Sequence, residues 1–311
     1  MKHIRARKSA GARWLAGFAM AAPIALGGPA GADEFDQYRR EFPDTDFSKI
    51  SISADEIITD GHRRDQIPPI HEPQFVDATE AEIGLQELVL ALVINGDARA
   101  YPLRILLWHE IVNDTVGGVP ALISYCPLCN SGVVFDWRLD GRVLHFGNTG
   151  RIRHFDMVMY DLETESWWQQ FLGEAIIGDL TGQRMTALPA RLESVEAFIA
   201  RAPGGKLLIP NYPRARPYGT SLYVEFEDAN PHAIRVYGLP DGVRPLDRVV
   251  IVGKEDWTLK QLRQARVIRD GDLEIVWTPG RLQSTTRREL VGGETSATWS
   301  CSAPEKTFPM M

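Results

Sequence analysis

The sequence lacks the short motifs and long apolar runs that would place it at once in a common functional class. It contains no G-x-S-x-G, H-E-x-x-H or Walker pattern, so none of the enzyme classes with those motifs is indicated. After the N-terminal segment, no apolar run is long enough to span a bilayer. Cysteine is also scarce. The 311 residues include three cysteines, and two of them form a C-x-x-C pair, the most informative pattern in the chain.

The N-terminal segment has the composition of a secretory signal peptide. Five basic residues in the first 13 positions precede an apolar run that ends near Leu26. Ala30-Gly31-Ala32 then resembles a small-residue cleavage site. We therefore predict that residues 1–32 are a cleaved signal peptide and that the mature protein is periplasmic or secreted. An uncleaved N-terminal anchor is the alternative.

Basic residues are few in the mature chain, which bears on its partners. Cleavage removes five of the 34 basic residues and none of the 41 acidic ones, so the net charge falls from −7 to −12. An acidic surface disfavours contact with nucleic acid and with anionic lipid. We therefore expect no nucleic-acid partner and no membrane contact after cleavage. Export places the thiols where disulfides persist, so the partner to consider is a redox or metal-delivery protein.

Short apolar runs separated by turn residues predict a mainly β fold with short helices, of the α+β class. Asn95-Gly96 and Asp140-Gly141 are hairpin dipeptides between such runs. A Ser194 cap and a helix-like apolar spacing mark the few helices. The predicted strands are 88–94, 120–125, 132–137, 143–146 and 248–252, and the predicted helices are 103–112, 194–201 and 258–265.

One arrangement of elements occurs twice in the sequence. The run 90–97 resembles 249–256, and each is followed by a short helix-like piece, a turn and two strands. The first copy has the C-x-x-C pair between those strands, whereas the second has 278–282 without cysteine. We predict an N-terminal extension at 33–63, a β-rich unit with the thiols at 64–205, and a second β-rich unit at 206–311. We interpret the second unit as a degenerate repeat without the thiols.

Cys126 and Cys129 form the C-x-x-C pair. Two thiols at this spacing can close a disulfide or bind one soft metal ion. Three interpretations stay open: a copper or zinc site, a thiol–disulfide oxidoreductase in which Cys126 attacks and Cys129 resolves, and a binding or structural module in which the pair staples a turn. A thioredoxin-like helix start is disfavoured, because the residues after the pair lead into a strand-like run.

The segment before the cysteines supplies candidates to complete a metal site. His109 lies on a helix-like piece, and the turn that begins at Asp114 returns the chain towards the cysteine loop. We therefore expect His109 to join the two cysteines as a third ligand, with Glu110 or Asp114 orienting its imidazole. The alternative is a partly buried histidine that packs beside Trp108.

Other segments have weaker patterns. Cys301 has no ligand spacing around it and is interpreted as a free thiol. His145 and His154 are interpreted as ordinary strand or surface residues. Large side chains are dense at 157–161 and 167–170, where core packing is the interpretation and a pocket wall or thioether ligands are the alternatives.

Eight short motifs occur in a fixed order along the mature chain. They are Arg64–Ile70, Ala100–Leu103, Trp108–Asp114, Tyr125–Cys129, Val134–Asp136, Phe146-Gly147, Met159–Asp161 and Trp168–Gln170. The series resembles the exported prokaryotic proteins of the domain of unknown function 3179 family, and its most specific part is W-H-E-I-V-N-D followed by Y-C-P-L-C. The resemblance implies that His109, Glu110, Cys126 and Cys129 lie in the family's signature. It implies no activity.

Overall fold

The computed structural model describes residues 35–59, 61–220, 248–252, 255–270, 273–278, 281–286 and 298–301. The predicted signal peptide at 1–32 lies outside these residues. Within the described ranges, no helix combines the length and the apolar composition that crossing a membrane requires.

The described part of the chain is mainly β with three short helices, which confirms the predicted class. The strands are β1 Ile57–Thr59, β2 Gln74–Asp77, β3 Leu88–Ile94, β4 Asp97–Pro102, β5 Ile111–Val116, β6 Val119–Cys126, β7 Ser131–Asp136, β8 Arg138–Leu139, β9 Arg142–Val143, β10 Phe146–Arg153, β11 Asp156–Asp161, β12 Trp167–Gln169, β13 Glu174–Ile177, β14 Thr186–Leu188, β15 Arg191–Ser194, β16 Lys206–Ile209, β17 Arg248–Val252, β18 Glu255–Thr258, β19 Val267–Asp270, β20 Leu273–Thr278, β21 Arg281–Thr286 and β22 Thr298–Cys301. The helices are α1 Leu103–His109, α2 Val195–Arg201 and α3 Leu259–Ala265, and Ala54–Glu56 forms one 3₁₀ turn.

Local sequence explains most element boundaries. Asn95 and Gly96 both have positive φ, 49° and 83°, and connect β3 to β4 as a type I′ hairpin turn. Ser194 caps α2 by accepting a hydrogen bond from the Ala197 N–H. The helix predicted over 103–112 stops at His109, because Glu110 adopts a φ of 57° and directs the chain into β5. The strand predicted over 143–146 is wrong in detail, since β9 ends at 143 and β10 begins at 146.

The strands of the described part form five sheets, and two of them frame the cysteines. One has four strands in the order β14-β7-β6-β5, and the other has five in the order β1-β10-β11-β12-β13. The largest runs β19-β20-β21-β15-β3-β4-β16-β2, and the smaller ones are β18-β17-β22 and β8-β9. Strand β16 lies just beyond the predicted unit boundary at 205 and pairs with β2 and β4. The proposed division of the chain stays a prediction.

A hydrophobic cluster joins the four- and five-stranded sheets. Leu122 and Phe135 come from the first sheet, Met157 and Trp168 come from the second, and both thiol-bearing residues of the C-x-x-C loop belong to the same cluster. Burial of each large apolar side chain stabilises the fold by about 1.5–3 kcal/mol. The loop is therefore held between two packed sheets rather than on a free surface.

The segment before β1 packs on the face of the five-stranded sheet opposite to the one that meets the four-stranded sheet. Phe35, Phe42 and Phe47 share a buried cluster with Trp167. The rings of Phe42 and Trp167 meet edge to face with centroids 5.0 Å apart, a favourable aromatic geometry. The predicted N-terminal extension is thus part of the packed structure in its described residues.

Candidate metal centre

The C-x-x-C pair lies in the hairpin loop between β6 and β7. Cys126 is the last residue of β6 and pairs in register with Ser131, the first residue of β7. Four residues connect them, and the last of these, Asn130, has a φ of 50°. The Tyr125 hydroxyl donates a hydrogen bond of 2.7 Å to the Asn130 side-chain oxygen. The pair therefore leads into a strand, as predicted, rather than opening a helix.

A second hairpin turn, between β10 and β11, meets this loop. Its two central residues, His154 and Phe155, have positive φ values of 52° and 63°, the backbone of a type I′ turn. An aromatic residue in this conformation is strained, because its Cβ crowds the backbone. The Phe155 carbonyl lies 3.7 Å from the Cys126 Sγ and accepts a weak hydrogen bond from it. The turn sets Asp156, the first residue of β11, beside the thiols.

Cys126, Cys129 and Asp156 form one compact group of potential ligands. Their ligand atoms, two sulfurs and a carboxylate oxygen, all lie within 4.8 Å of one another. The three residues are buried, with exposed fractions of 1%, 5% and 5%. The two sulfurs are not joined by a disulfide. The Cys129 Sγ lies 3.4 Å from Asp156 Oδ1. This is the one such group of His, Cys, Asp and Glu side chains in the described part of the chain.

Burial sets the protonation of the carboxyl group. It raises the pKa of Asp156 from 3.8 to about 6, because the charged form loses hydration. Four hydrogen bonds oppose this shift, the strongest from the Phe171 N–H at 2.9 Å and the Gln169 Nε2 at 2.5 Å. Asp156 can therefore change between the acid and the carboxylate near neutral pH.

The Cys129 thiol is also held in its protonated form when no cation is present. Burial raises the pKa of Cys129 well above its usual range, and the neighbouring Cys126 and Asp156 raise it further. The Ser131 Oγ lies 2.9 Å from the Cys129 Sγ. A cation that replaces the proton would make the buried thiolate favourable, because a thiol that binds a metal ion is deprotonated.

His109 is not part of this group. Its Nδ1 lies 2.7 Å from the Pro68 carbonyl and its Nε2 lies 2.7 Å from the Tyr218 hydroxyl, on whose ring the imidazole stacks. Since a carbonyl only accepts, Nδ1 donates to Pro68 and Nε2 accepts from Tyr218. Burial lowers the pKa of His109, which favours this neutral form. The structure brings the two predicted cysteine ligands together and adds Asp156, while His109 lies in another contact.

The two acidic residues expected to orient His109 have other partners. The Glu110 carboxylate accepts a hydrogen bond of 2.6 Å from Asn148 Nδ2. Asp114 accepts hydrogen bonds from Arg99 at 3.0 Å and from the Tyr101 hydroxyl at 2.6 Å. Asp114 thus belongs to a partly buried ion pair with Arg99 of β4. The Asn148 Nδ2 also lies 3.3 Å from the Met157 sulfur, which connects Glu110 to the strand that bears Asp156.

Sequence reasoning missed Asp156 as a potential ligand. It lies 27 positions after Cys129 and follows no spacing motif. The available signal was its place two residues after His154, the histidine already considered in that turn. Only the pairing of β10 with β11 and the packing of their turn on the C-x-x-C loop bring it to the thiols.

Comparison with known proteins identifies the family of the chain. No curated protein matches the sequence, and no solved structure matches it either. Residues 64–306 match the family described as Protein of unknown function (DUF3179). The match begins at the first of the eight motifs and includes both thiols, Asp156 and the hairpin that bears it. Because the match covers more than half of the chain, this protein belongs to the DUF3179 family.

Proposed function

We propose that this protein binds a transition-metal ion, zinc in preference to copper(I), through Cys126, Cys129 and Asp156. The observation that supports the proposal is the convergence of two thiol sulfurs and a carboxylate oxygen within 4.8 Å of one another at a buried point. Three ligands from the protein with a fourth position open are typical of zinc sites that bind water or a substrate.

Charge supports the binding of a cation. Two thiolates and a carboxylate carry three negative charges, and buried charges are unfavourable unless they are paired. The neighbouring donors to Asp156 are a carboxamide and a backbone N–H, both neutral. A divalent cation would leave one negative charge in the group, whereas a monovalent one would leave two.

The ligand types favour zinc over copper(I). Thiolate sulfurs suit both metals, but carboxylate oxygen is a harder ligand that zinc accepts at about 2.0–2.2 Å. Copper(I) is best satisfied by the two sulfurs alone. We therefore favour zinc, located in the periplasm or outside the cell if the chain is exported as its N-terminal segment predicts.

A thiol–disulfide couple at the same residues is the second candidate function. The contact of 3.4 Å between the Cys129 Sγ and Asp156 Oδ1 favours it, because the carboxylate can take the thiol proton. In this reaction Cys126 loses its proton to water and attacks a partner's disulfide as a thiolate, and one partner sulfur leaves as a thiolate that takes up a proton from water. Cys129 then passes its proton to Asp156 and attacks the Cys126 sulfur, and the second partner sulfur leaves as a thiolate that takes this proton from Asp156. Two electrons move from the two cysteines to the partner.

Metal analysis of the purified, reduced protein tests the proposal. We expect one zinc per chain in the wild type and none in Cys126→Ser or Cys129→Ser. Asp156→Asn should lower zinc affinity by at least about ten-fold, since its amide oxygen is a weaker ligand than a carboxylate. Cys301→Ser serves as the matched control and should retain the metal.

Two outcomes would contradict the proposal in different ways. A wild-type protein with both thiols reduced and no affinity for zinc would rule out the metal centre. If the same protein also formed a reversible Cys126–Cys129 disulfide, and Asp156→Asn slowed its formation, the second candidate would replace the first.

A further inference from the structure

Two consecutive glutamines, the last residue of β12 and the one after it, lie against the candidate metal centre. Gln169 and Gln170 are buried, with exposed fractions of 4% and 0%. A buried carboxamide needs hydrogen-bond partners, so its partners indicate its role. Gln169 contacts Asp156, and Gln170 contacts Ser131 beside Cys129. The sequence favoured core packing for this segment, with a pocket wall or thioether ligands as the alternatives.

The amide of Gln169 has one possible orientation. Its Nε2 donates to Asp156 Oδ2 at 2.5 Å and to the Arg153 carbonyl at 3.3 Å. Its Oε1 accepts from the Arg153 guanidinium at 2.9 Å. Carboxylate and carbonyl oxygens only accept, and a guanidinium only donates, so all three contacts require the same orientation. Gln169 is therefore fixed with its N–H directed at the carboxyl group.

This contact determines which oxygen of Asp156 can bind a cation. Oδ2 receives hydrogen bonds from Gln169 and from the Phe171 N–H at 2.9 Å. Oδ1 lies on the side of the Cys129 Sγ, at 3.4 Å. With Oδ2 occupied by two donors, Asp156 offers a single oxygen to the point where the sulfurs converge.

Gln170 acts on the other side of the group, through Ser131. Its Oε1 accepts a hydrogen bond of 2.9 Å from the Ser131 hydroxyl, whose oxygen lies 2.9 Å from the Cys129 Sγ. Its Nε2 donates to the Ser124 hydroxyl at 2.9 Å, and Ser124 in turn donates to the Val133 carbonyl at 2.8 Å. This chain ends on the β7 backbone, so it fixes the oxygen that contacts the sulfur.

We propose that Gln169 and Gln170 are positioning residues of the metal centre, Gln169 for the Asp156 oxygen and Gln170 for the Cys129 sulfur. The inference rests on the proposed function, because it assigns roles around the same three ligands. Substitution of a residue that orients a metal ligand typically lowers metal affinity by about 10- to 100-fold. Since zinc uses the oxygen and copper(I) is satisfied by the sulfurs, Gln169 also determines the preference for zinc over copper(I).

Two substitutions separate the two roles. Gln169→Glu keeps the side-chain size but places an oxygen against Asp156 Oδ2, so zinc affinity should fall about 10- to 100-fold while copper(I) affinity equals that of the wild type. Gln170→Met removes the support of Ser131, so the affinities for both metals should fall about ten-fold. Gln183→Glu makes the same change of charge at an exposed glutamine and should alter neither affinity.

A milder variant distinguishes a specific loss of zinc affinity from a loss of the fold. Arg153→Met removes the guanidinium that holds Gln169 Oε1 and leaves the buried amide in place. It should lower zinc affinity in the same direction as Gln169→Glu, by a smaller factor, with copper(I) affinity unchanged. Circular dichroism of each metal-free variant verifies that the fold is retained.

The measurement is a competition titration of the reduced, purified protein with zinc and with copper(I) against chelators of known affinity. Cobalt(II) absorption shows in parallel whether both thiolates coordinate. Gln169→Glu and Arg153→Met proteins with wild-type zinc affinity would overturn the positioning role alone. Equal losses of zinc and copper(I) in Gln169→Glu would overturn the assignment of Gln169 to the oxygen. A wild type that binds no zinc would overturn the proposed function and this inference together.

Discussion

Two parts of the chain share one order of elements, and only one of them contains the thiols. The first is β3–β4–α1–β5–β6–β7 and the second is β17–β18–α3–β19–β20–β21. Both helices have seven residues, and each ends before a residue with positive φ, Glu110 at 57° and Arg266 at 62°. The carbonyls of these residues accept from the backbone N–H of Tyr125 at 2.8 Å and of Trp277 at 2.9 Å. The two regions therefore have the same backbone conformation and hydrogen bond where the helix meets the strands.

The difference between the regions lies in one hairpin loop. Cys126 pairs with Ser131, so four residues connect β6 to β7. Thr278 pairs with Arg281, so two residues connect β20 to β21. The hairpin thus needs no thiols for its geometry, and the longer loop is what accommodates Cys129. These shared features support the internal repeat predicted from sequence, which stays a prediction.

Shortening the longer loop should have the largest effect. Replacing residues 127–130 by Asn-Gly would give β6–β7 the two-residue connection of the second region, with residues suited to a type I′ turn. We expect complete loss of zinc binding with the strands retained, because Cys129 is removed and the register of Cys126 with Ser131 still closes the hairpin. Metal content and circular dichroism measure the two parts of this prediction.

The single substitution Cys129→Ser is the control for that experiment, since it removes the thiol at constant loop length. Both variants should be free of zinc. A shortened protein that still bound one zinc per chain would show that Cys129 is not a ligand.

Asp156 should make the metal-free protein less stable as the pH rises. Its folded-state pKa of about 6 exceeds its ordinary value of 3.8, so the folded protein binds more protons between these values and loses stability as the pH increases through them. The loss is complete above about pH 6 and amounts to about 3 kcal/mol. Asp156→Asn should remove this loss. Urea unfolding of both proteins at pH 4 and pH 7 measures it.

Asp161, whose pKa burial also raises, is present in both proteins, so its contribution cancels in the comparison. Zinc added at pH 7 should raise the free energy of unfolding of the wild type. The same addition should raise that of Asp156→Asn much less. Identical pH profiles for the two metal-free proteins would contradict the burial of an ionisable Asp156.

His109→Ala makes the first helix end like the second, which ends at Ala265. The substitution removes the hydrogen bonds to Pro68 and Tyr218, so we expect a loss of about 1–2 kcal/mol in the free energy of unfolding. Zinc affinity should not change. A fall in zinc affinity as large as that of Asp156→Asn would instead make His109 a ligand, as first predicted from its place beside the cysteines.

The smallest effect is expected from Tyr125→Phe, at the position that corresponds to Trp277. The change removes the hydrogen bond to Asn130 that braces the C-x-x-C loop. Thermal unfolding should show that the free energy of unfolding falls by about 1 kcal/mol. One zinc should still bind per chain. Loss of the metal in this variant would mean that the brace is essential to the centre.

Local signals were sufficient for much of the fold. The Asn95-Gly96 turn, the Ser194 cap and the strand at 248–252 were predictable, because each depends on neighbouring residues alone. The sheet order was not, because pairings such as that of β15 with both β3 and β21 join residues far apart in the sequence.

The same limit applied to the candidate site. The two cysteines stood out because their spacing is itself the signal. His109 was inferred from nearness in sequence, but the left-handed backbone at Glu110 ends the helix, and the imidazole contacts Pro68 and Tyr218. Asp156 could be found only after the β10–β11 turn was seen to pack on the loop.

Zinc-edge X-ray absorption of the purified protein tests the central claim most directly. We predict two sulfur neighbours at about 2.3 Å, at least one oxygen neighbour at about 2.0–2.2 Å, and no imidazole scattering. In Asp156→Asn, the sulfur shell should remain with altered light-atom scattering. A zinc shell with fewer than two sulfurs, or one with the scattering pattern of a histidine ring, would contradict a centre made by Cys126, Cys129 and Asp156.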